Sequence, residues 1–295
     1  MRDLVLEYKS ISDDVCDFGD YVGDTIIQDT QAQTKIVSKQ TFKKFVENTF
    51  QIKIKNFLKG GNILTVNYIM YYTDTKEAYE MLVRGNSEAN EETNSIKIVS
   101  GFIDGEVADD FYETIYHELE HLYQYGMGME KRKTLYDKTR ELLDLGEQNI
   151  DAYYVGLCCY YSFKHEQDAF VHQFYAQLRQ NKDRDKFEVL SQKFAPYQSM
   201  LKAYNVIISY KNNERIMDAI NDLGYSRNDF IKLVKYRRKR FTTKMINAYE
   251  RYMEETSTLN EHNIDRFINR MNSILNESKN YGYDINWGIE SIYRF

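Results

Sequence analysis

The sequence predicts an α+β fold, with a small mixed sheet in the N-terminal part and a mostly helical C-terminal region. Three observations predict it. Short segments in the first hundred residues alternate apolar and polar side chains with the period of a half-buried strand. From about Met129 onward nearly every segment carries its apolar residues at helical spacing. Proline occurs once in 295 residues, so little interrupts a helix from within. The expected division is 1–128, the mixed part, and 129–295, the helical part. There is no low-complexity linker or internal repeat between them, so the two are expected to pack as one unit.

Phe50, Ile52 and Ile54 alternate with polar residues and predict a first strand. A Gly60-Gly61-Asn62 turn follows, and Ile63 to Tyr72, rich in β-branched and aromatic residues, predicts a second. Asp74 is placed to cap a helix over 76–84 that Gly85 ends. Ser95 to Phe102 reads as a third strand, and Asp104-Gly105 is expected to turn the chain into a helix running from Glu106 to about Gly126. Helical segments follow at Leu135–Leu145, Ile150–Phe163 and Glu166–Leu178, then through Lys202, Phe230 and Ile268, with breaks at Gly224 and Gly282.

The net charge of −6 argues against wholesale nucleic-acid binding but leaves room for a local basic patch. Cys16, Cys158 and Cys159 are too few for a disulfide framework, and two of them are adjacent, so they read as reduced thiols. The N-terminus lacks an apolar signal-like region, and no apolar run is long enough to span a bilayer. The expectation is a soluble protein without membrane contact, cytoplasmic or, if phage-encoded, virion-associated.

Within the helix after the third strand stands His117-Glu118-Leu119-Glu120-His121, an HExxH box. Histidines four apart project from one helix face and can reach one zinc ion. The glutamate between them is turned by about 100° and can hold a water beside that ion. Phe111, Ile115, Leu119 and Leu122 form an apolar stripe that would sink the helix into a core while the histidines open to a cleft. The bland alternative is a surface helix with two solvated histidines.

With this motif the chain resembles the zincin metallopeptidases, of the gluzincin kind, whose third ligand is a downstream glutamate. The resemblance covers about residues 63–178, and only the HExxH box is sharply specific. The family order is edge strand, HExxH helix, then the helix bearing the glutamate. The strand at Ile96–Phe102 fits the first place, where an extended substrate can add by backbone hydrogen bonds. The resemblance implies a third ligand at Glu166, in Glu166-Gln167-Asp168-Ala169, an E-x-x-A signature with Asp168 as an outer acceptor. Phe170 departs from it, since related families often have Asp or Asn there. Glu147, in an E-x-x-x-D pattern, is the rival.

The implied activity is zinc-dependent peptide-bond hydrolysis by a metal-activated water, with His117, His121 and Glu166 as metal ligands and Glu118 as general base. A donor for the developing oxyanion is also needed; Tyr153, Tyr154, Tyr160, Tyr161 and His172 lie in suitable regions without one standing out. Glu120 is expected on a solvated face, and Gln124 at the cleft or the surface. His165 is a poor ligand, because adjacent helix residues diverge by about 100°. Cys158 and Cys159 read as small buried apolar residues.

The run Lys232 to Lys244 joins seven cations to an apolar stripe and could meet a protein partner or nucleic acid. Its alternative is a solvated face balanced by Glu250, Glu254 and Glu255. Two other readings of the whole chain stand beside the peptidase: a structural or assembly protein, such as a phage virion component, that keeps a zincin-like fold as scaffold, and a nucleic-acid-associated protein using helix 232–244.

Overall fold

The computed structural model describes residues 12–37, 45–54, 58, 61–83, 87–128, 133–182, 184–209 and 213–257. The expected turn glycine Gly60, the terminator Gly85, the segment around Ile268 and the break at Gly282 lie outside the described residues. The chain divides into two compact units, Met1–Glu250 and Arg251–Phe295. In the second, the described residues are the last turns of a helix, where Arg251 Nε meets Glu255 at 2.7 Å.

The first unit is mixed α and β. Helix α1 (Asp13–Val37) leads into β1 (Phe45–Lys53), β2 (Ile63–Thr73), α2 (Lys76–Val83), β3 (Glu88–Asn90), β4 (Ser95–Ile103) and β5 (Glu106–Val107). Then come α3 (Phe111–Gly126), α4 (Lys133–Asp144), a single 3-10 turn (Gly146–Asn149), α5 (Ile150–Tyr160) and α6 (Lys164–Asn181). Helices α7 (Phe187–Lys193), α8 (Ala195–Ser209), α9 (Glu214–Asp222) and α10 (Arg227–Ser257) complete the described chain. The sheet order is β1-β2-β4-β3, with β2 and β4 parallel, the other neighbours antiparallel, and β5 paired to the end of β4.

Several expectations are corrected. The helix over 76–83 is capped by Thr75, not Asp74: Thr75 Oγ1 accepts the N–H of Ala78 at 3.2 Å, three residues on, as an N-cap must. Asp104-Gly105 does not start the motif helix. With φ of +51° and +86° the pair makes a turn whose twist suits a β-hairpin, so Glu106 and Val107 return along β4 and the helix starts at Phe111. The first strand begins five residues earlier than its alternation suggests, at Phe45. Helix α1 and strand β3 were not anticipated; α1 is polar over much of its surface, and β3 is only three residues long.

One face of the sheet (Leu64, Val66, Tyr68 and Met70 of β2; Ile96, Ile98 and Phe102 of β4) buries against Val15, Val22 and Ile26 of α1. The stripe Phe111, Ile115, Leu119 and Leu122 of α3 fills the same core, and each such fully buried side chain stabilises the fold by about 1.5–3 kcal/mol. Helices α1 and α3 approach closely because α1 presents glycine where α3 presents rings. A Cβ at Gly19 would stand 2.4 Å from the Tyr116 ring, and one at Gly23 2.3 Å from the Tyr112 ring. Beside these contacts Tyr112 donates to Asp24 and Tyr116 to Asp20, both at 2.6 Å. A second core joins α4, α5, α8, α9 and α10 through Leu142, Val155, Ile207, Ile220 and Phe230. No helix among the described residues is long and apolar enough to cross a membrane.

Candidate metal centre

Helix α3 is oriented by its apolar stripe, which is essentially inaccessible to solvent. With that face fixed on the sheet, the adjoining face, which carries His117 and His121 one turn apart, meets α6. Glu166 lies in the first turn of α6, where the exposed N–H groups of a helix start favour a carboxylate. That start is set by a break after α5: Phe163 is extended (φ −66°, ψ 133°), and Gln167 Nε2 donates to Tyr161 O at 2.8 Å and to Arg237 O of α10 at 3.0 Å.

These elements bring His117, His121 and Glu166 together, with ligand atoms all within 4.8 Å of one another. His117 Nε2 and His121 Nε2 are 3.2 Å apart, and Glu166 Oε2 lies 3.7 Å and 3.6 Å from them. Tetrahedral coordination at bond lengths of about 2.0–2.2 Å requires ligand atoms about 3.3–3.6 Å apart, so the three atoms fit around one small cation. Glu166 is 1% exposed, and neither of its oxygens has a well-aligned hydrogen-bond partner among the described residues. Burial alone would raise its pKa; the imidazoles of His121, His165 and His117 outweigh it and hold the carboxyl well below its usual range. A buried carboxylate with no well-aligned hydrogen bond calls for positive charge beside it, and a cation between the three side chains would supply that. The residues present therefore fit a metal ion.

Glu118 is nearly buried beside this group and close enough to Tyr136 for its charge to bear on that phenol. Two tyrosine hydroxyls face Glu166: Tyr160, which the sequence reading includes, and Tyr136 of α4, which it misses. Burial first, and then the charge of Glu166, raises both phenols above the ordinary tyrosine range, so both remain protonated donors. No local signal marks Tyr136; only the packing of α4 brings it here. His172 is not an oxyanion donor. Its Nε2 accepts the Ser12 N–H at 2.8 Å, so Nδ1 carries the hydrogen and faces Asp168 O at 3.0 Å, within a buried environment.

Glu120 is not solvated as expected. It is 4% exposed, its Oε1 accepts from Gln124 Nε2 at 2.8 Å, and its Oε2 lies 3.4 Å from His172 Nδ1. Burial raises its pKa, with His172 opposing. The reason is α6, which covers a face of α3 that would be open on an isolated surface helix. Gln124 is buried too and also donates to the carbonyl of His165 at 3.1 Å. The Asp168 carboxylate pairs with Lys244. Phe170, the departure from the family pattern, packs its ring 4.8 Å from that of His117. Glu147 lies in the 3-10 turn, and its side chain is outside the described part of the structure.

Cys158 and Cys159 are buried, with thiols raised by burial, that of Cys159 to about 11 although the Thr139 hydroxyl donates to it at 3.2 Å. In α10, Lys244 points inward to Asp168 and Arg238 lies 4.1 Å over the Tyr204 ring, while Lys232, Lys235, Tyr236 and Lys239 are exposed on one side. Glu255 pairs with Arg251 at 2.7 Å.

No family model, no curated protein and no solved structure matches this chain.

Proposed function

We propose that the chain is a zinc-dependent metallopeptidase of the gluzincin kind, with a zincin-like core formed by the sheet, α3 and α6. The observation that carries this reading is the meeting of Glu166 Oε2 with the Nε2 atoms of His117 and His121 at 3.6–3.7 Å, from a helix 45 residues further on. Two imidazoles and one carboxylate suit zinc and leave a coordination position open, as in catalytic rather than structural sites. Zinc held there would acidify water and polarise a carbonyl.

Glu118, the residue between the two ligand histidines, takes the proton of the attacking water on its carboxylate and delivers it to the leaving nitrogen. Tyr136 and Tyr160, protonated and beside Glu166, are the phenols assigned as donors to the developing oxyanion. The strand that an extended substrate would join is β3 and not β4. The outer edge of β4 is already occupied: β3 pairs with Ser95–Lys97, Ser87 Oγ accepts from Val99 N at 2.9 Å, and Ala108 N donates to Gly101 O at 3.0 Å. Strand β3 adjoins α3, and alternation along it directs the backbone groups of Ala89 outward.

The test is metal content by mass spectrometry beside hydrolysis of an unstructured protein such as casein. One zinc per chain in wild type, lost in Glu166→Ala, together with hydrolysis abolished in a zinc-loaded Glu118→Gln variant, is expected. A wild-type chain that takes up no zinc sinks the site. A chain that holds zinc and hydrolyses nothing turns the reading to a zincin-like scaffold in an assembly.

A further inference from the structure

The Glu166 carboxylate faces two ways. Oε2 is turned to the Nε2 atoms of His117 and His121, whereas Oε1 lies 3.3 Å from Nε2 of the neighbouring His165. The sequence marks His165 only as a poor ligand, and the structure gives it another place. Its ring stacks on Phe163 (centroids 5.3 Å apart, planes at 24°) and rests against Tyr136 at 5.7 Å. Its carbonyl is tied to the HExxH helix by Gln124 Nε2 at 3.1 Å. The imidazole is thus held on two sides and its backbone on a third. Its buried Nε2 has no well-aligned hydrogen-bond partner among the described residues, and the carboxylate oxygen 3.3 Å away is the acceptor it faces.

We infer that His165 is a positioning residue for the third metal ligand: its Nε2–H holds Oε1 of Glu166 and leaves Oε2 for the cation between His117 and His121. This rests on the reading of those three residues as metal ligands. A carboxylate at the start of a helix can swing about its last torsion, which is broad and carries little intrinsic preference. Fixing one oxygen fixes the other, and outer partners of this kind stabilise bound metal by orienting the ligand before the ion arrives. His165 does not join the ligand set itself. It meets the oxygen turned away from the two histidines, and the group of ligand atoms within 4.8 Å of one another holds only His117, His121 and Glu166.

The experiment is zinc affinity by competition with a chromogenic chelator, for wild type, His165→Phe and His165→Gln, with visible spectra of the cobalt-loaded proteins. Phenylalanine keeps the ring stack and removes the nitrogen; glutamine restores an N–H donor at similar reach. Expected is a loss of about 10–100-fold in zinc affinity for His165→Phe, with most of it regained in His165→Gln. The cobalt spectrum of His165→Gln should keep the wild-type band positions, since the ligand set is unchanged. Undiminished affinity in His165→Phe overturns the inference and leaves the metal site standing. A cobalt spectrum that shifts to a different ligand set in His165→Gln also overturns it, because His165 would then be a ligand. Wild type without metal removes the site and this inference together.

Discussion

Lys244, in the middle of α10, forms an ion pair with Asp168, two residues beyond Glu166 on α6, and both side chains are about nine-tenths buried. About two turns earlier, the carbonyl of Arg237 accepts the Gln167 side chain. The long C-terminal helix therefore holds the helix start that carries Glu166 at two neighbouring residues.

Removing one member of such a pair leaves a buried charge uncompensated. Lys244→Met should destabilise the first unit by about 3–5 kcal/mol, measured by urea unfolding. The double replacement Lys244→Met with Asp168→Leu should recover much of the loss, because an apolar pair of similar volume carries no desolvation cost. If the double variant is no better than the single, the pair is not the source of the loss.

Gly19 and Gly23 should respond unequally to alanine. Alanine favours the helix by about 1 kcal/mol, but the new methyl would lie 2.4 Å from Tyr116 or 2.3 Å from Tyr112. Tyr116 is held by Asp20 and by Arg179, which donates to its hydroxyl at 2.8 Å, whereas Tyr112 is only partly buried and is anchored through its bond to Asp24. Gly19→Ala should cost about 1–3 kcal/mol in net stability, and Gly23→Ala less. Thermal melts of the two variants side by side decide it; equal losses would contradict the account.

Glu113 should make stability fall as pH rises. Burial pushes its pKa from 4.5 up to about 7, against the hydrogen bond that Gln173 Nε2 donates at 3.0 Å. Between those values the folded chain binds a proton that the unfolded chain has released. The contribution is full below the unfolded value and is lost as pH climbs through about 7. Wild type should therefore lose about 1–3 kcal/mol relative to Glu113→Gln on going from about pH 5 to about pH 8. A difference that does not change with pH would show that the carboxyl stays ionised throughout.

Metal and folding should be linked through α3 and α6. Zinc held by His117, His121 and Glu166 would bind the folded chain only, so at a thousandfold excess over the dissociation constant it should stabilise by about 4 kcal/mol. Chelation should lower the wild-type melting temperature and leave that of Glu166→Ala almost unmoved. Equal responses in both proteins would place the metal elsewhere.

Much of the fold was legible because it is local. The expected strands at 63–72, rich in β-branched and aromatic residues, and at 95–102 fall within a residue of the observed ends of β2 and β4, and the stripe Phe111, Ile115, Leu119, Leu122 lies in the core as its spacing predicts. The hairpin at Asp104-Gly105 was not legible, since the same two residues suit a helix approach or a return strand, and pairing with Phe102 and Ile103 decided between them. Helix α1 escaped because its cohesion comes from partners on α3 rather than from its own pattern.

What the sequence by itself determined is the pair of imidazoles: a spacing of four on a helix directs both to one side wherever the helix lies. What only the tertiary structure decided is everything that reaches those imidazoles from elsewhere. Glu166 Oε2, the rings of Phe170 and His165, and the hydroxyls of Tyr136 and Tyr160 arrive on other helices. Glu120 is buried for the same cause, because α6 lies over it. Periodicity reports which way a side chain leaves its own helix; which helix packs there is set by long-range burial, and one segment's pattern does not encode it.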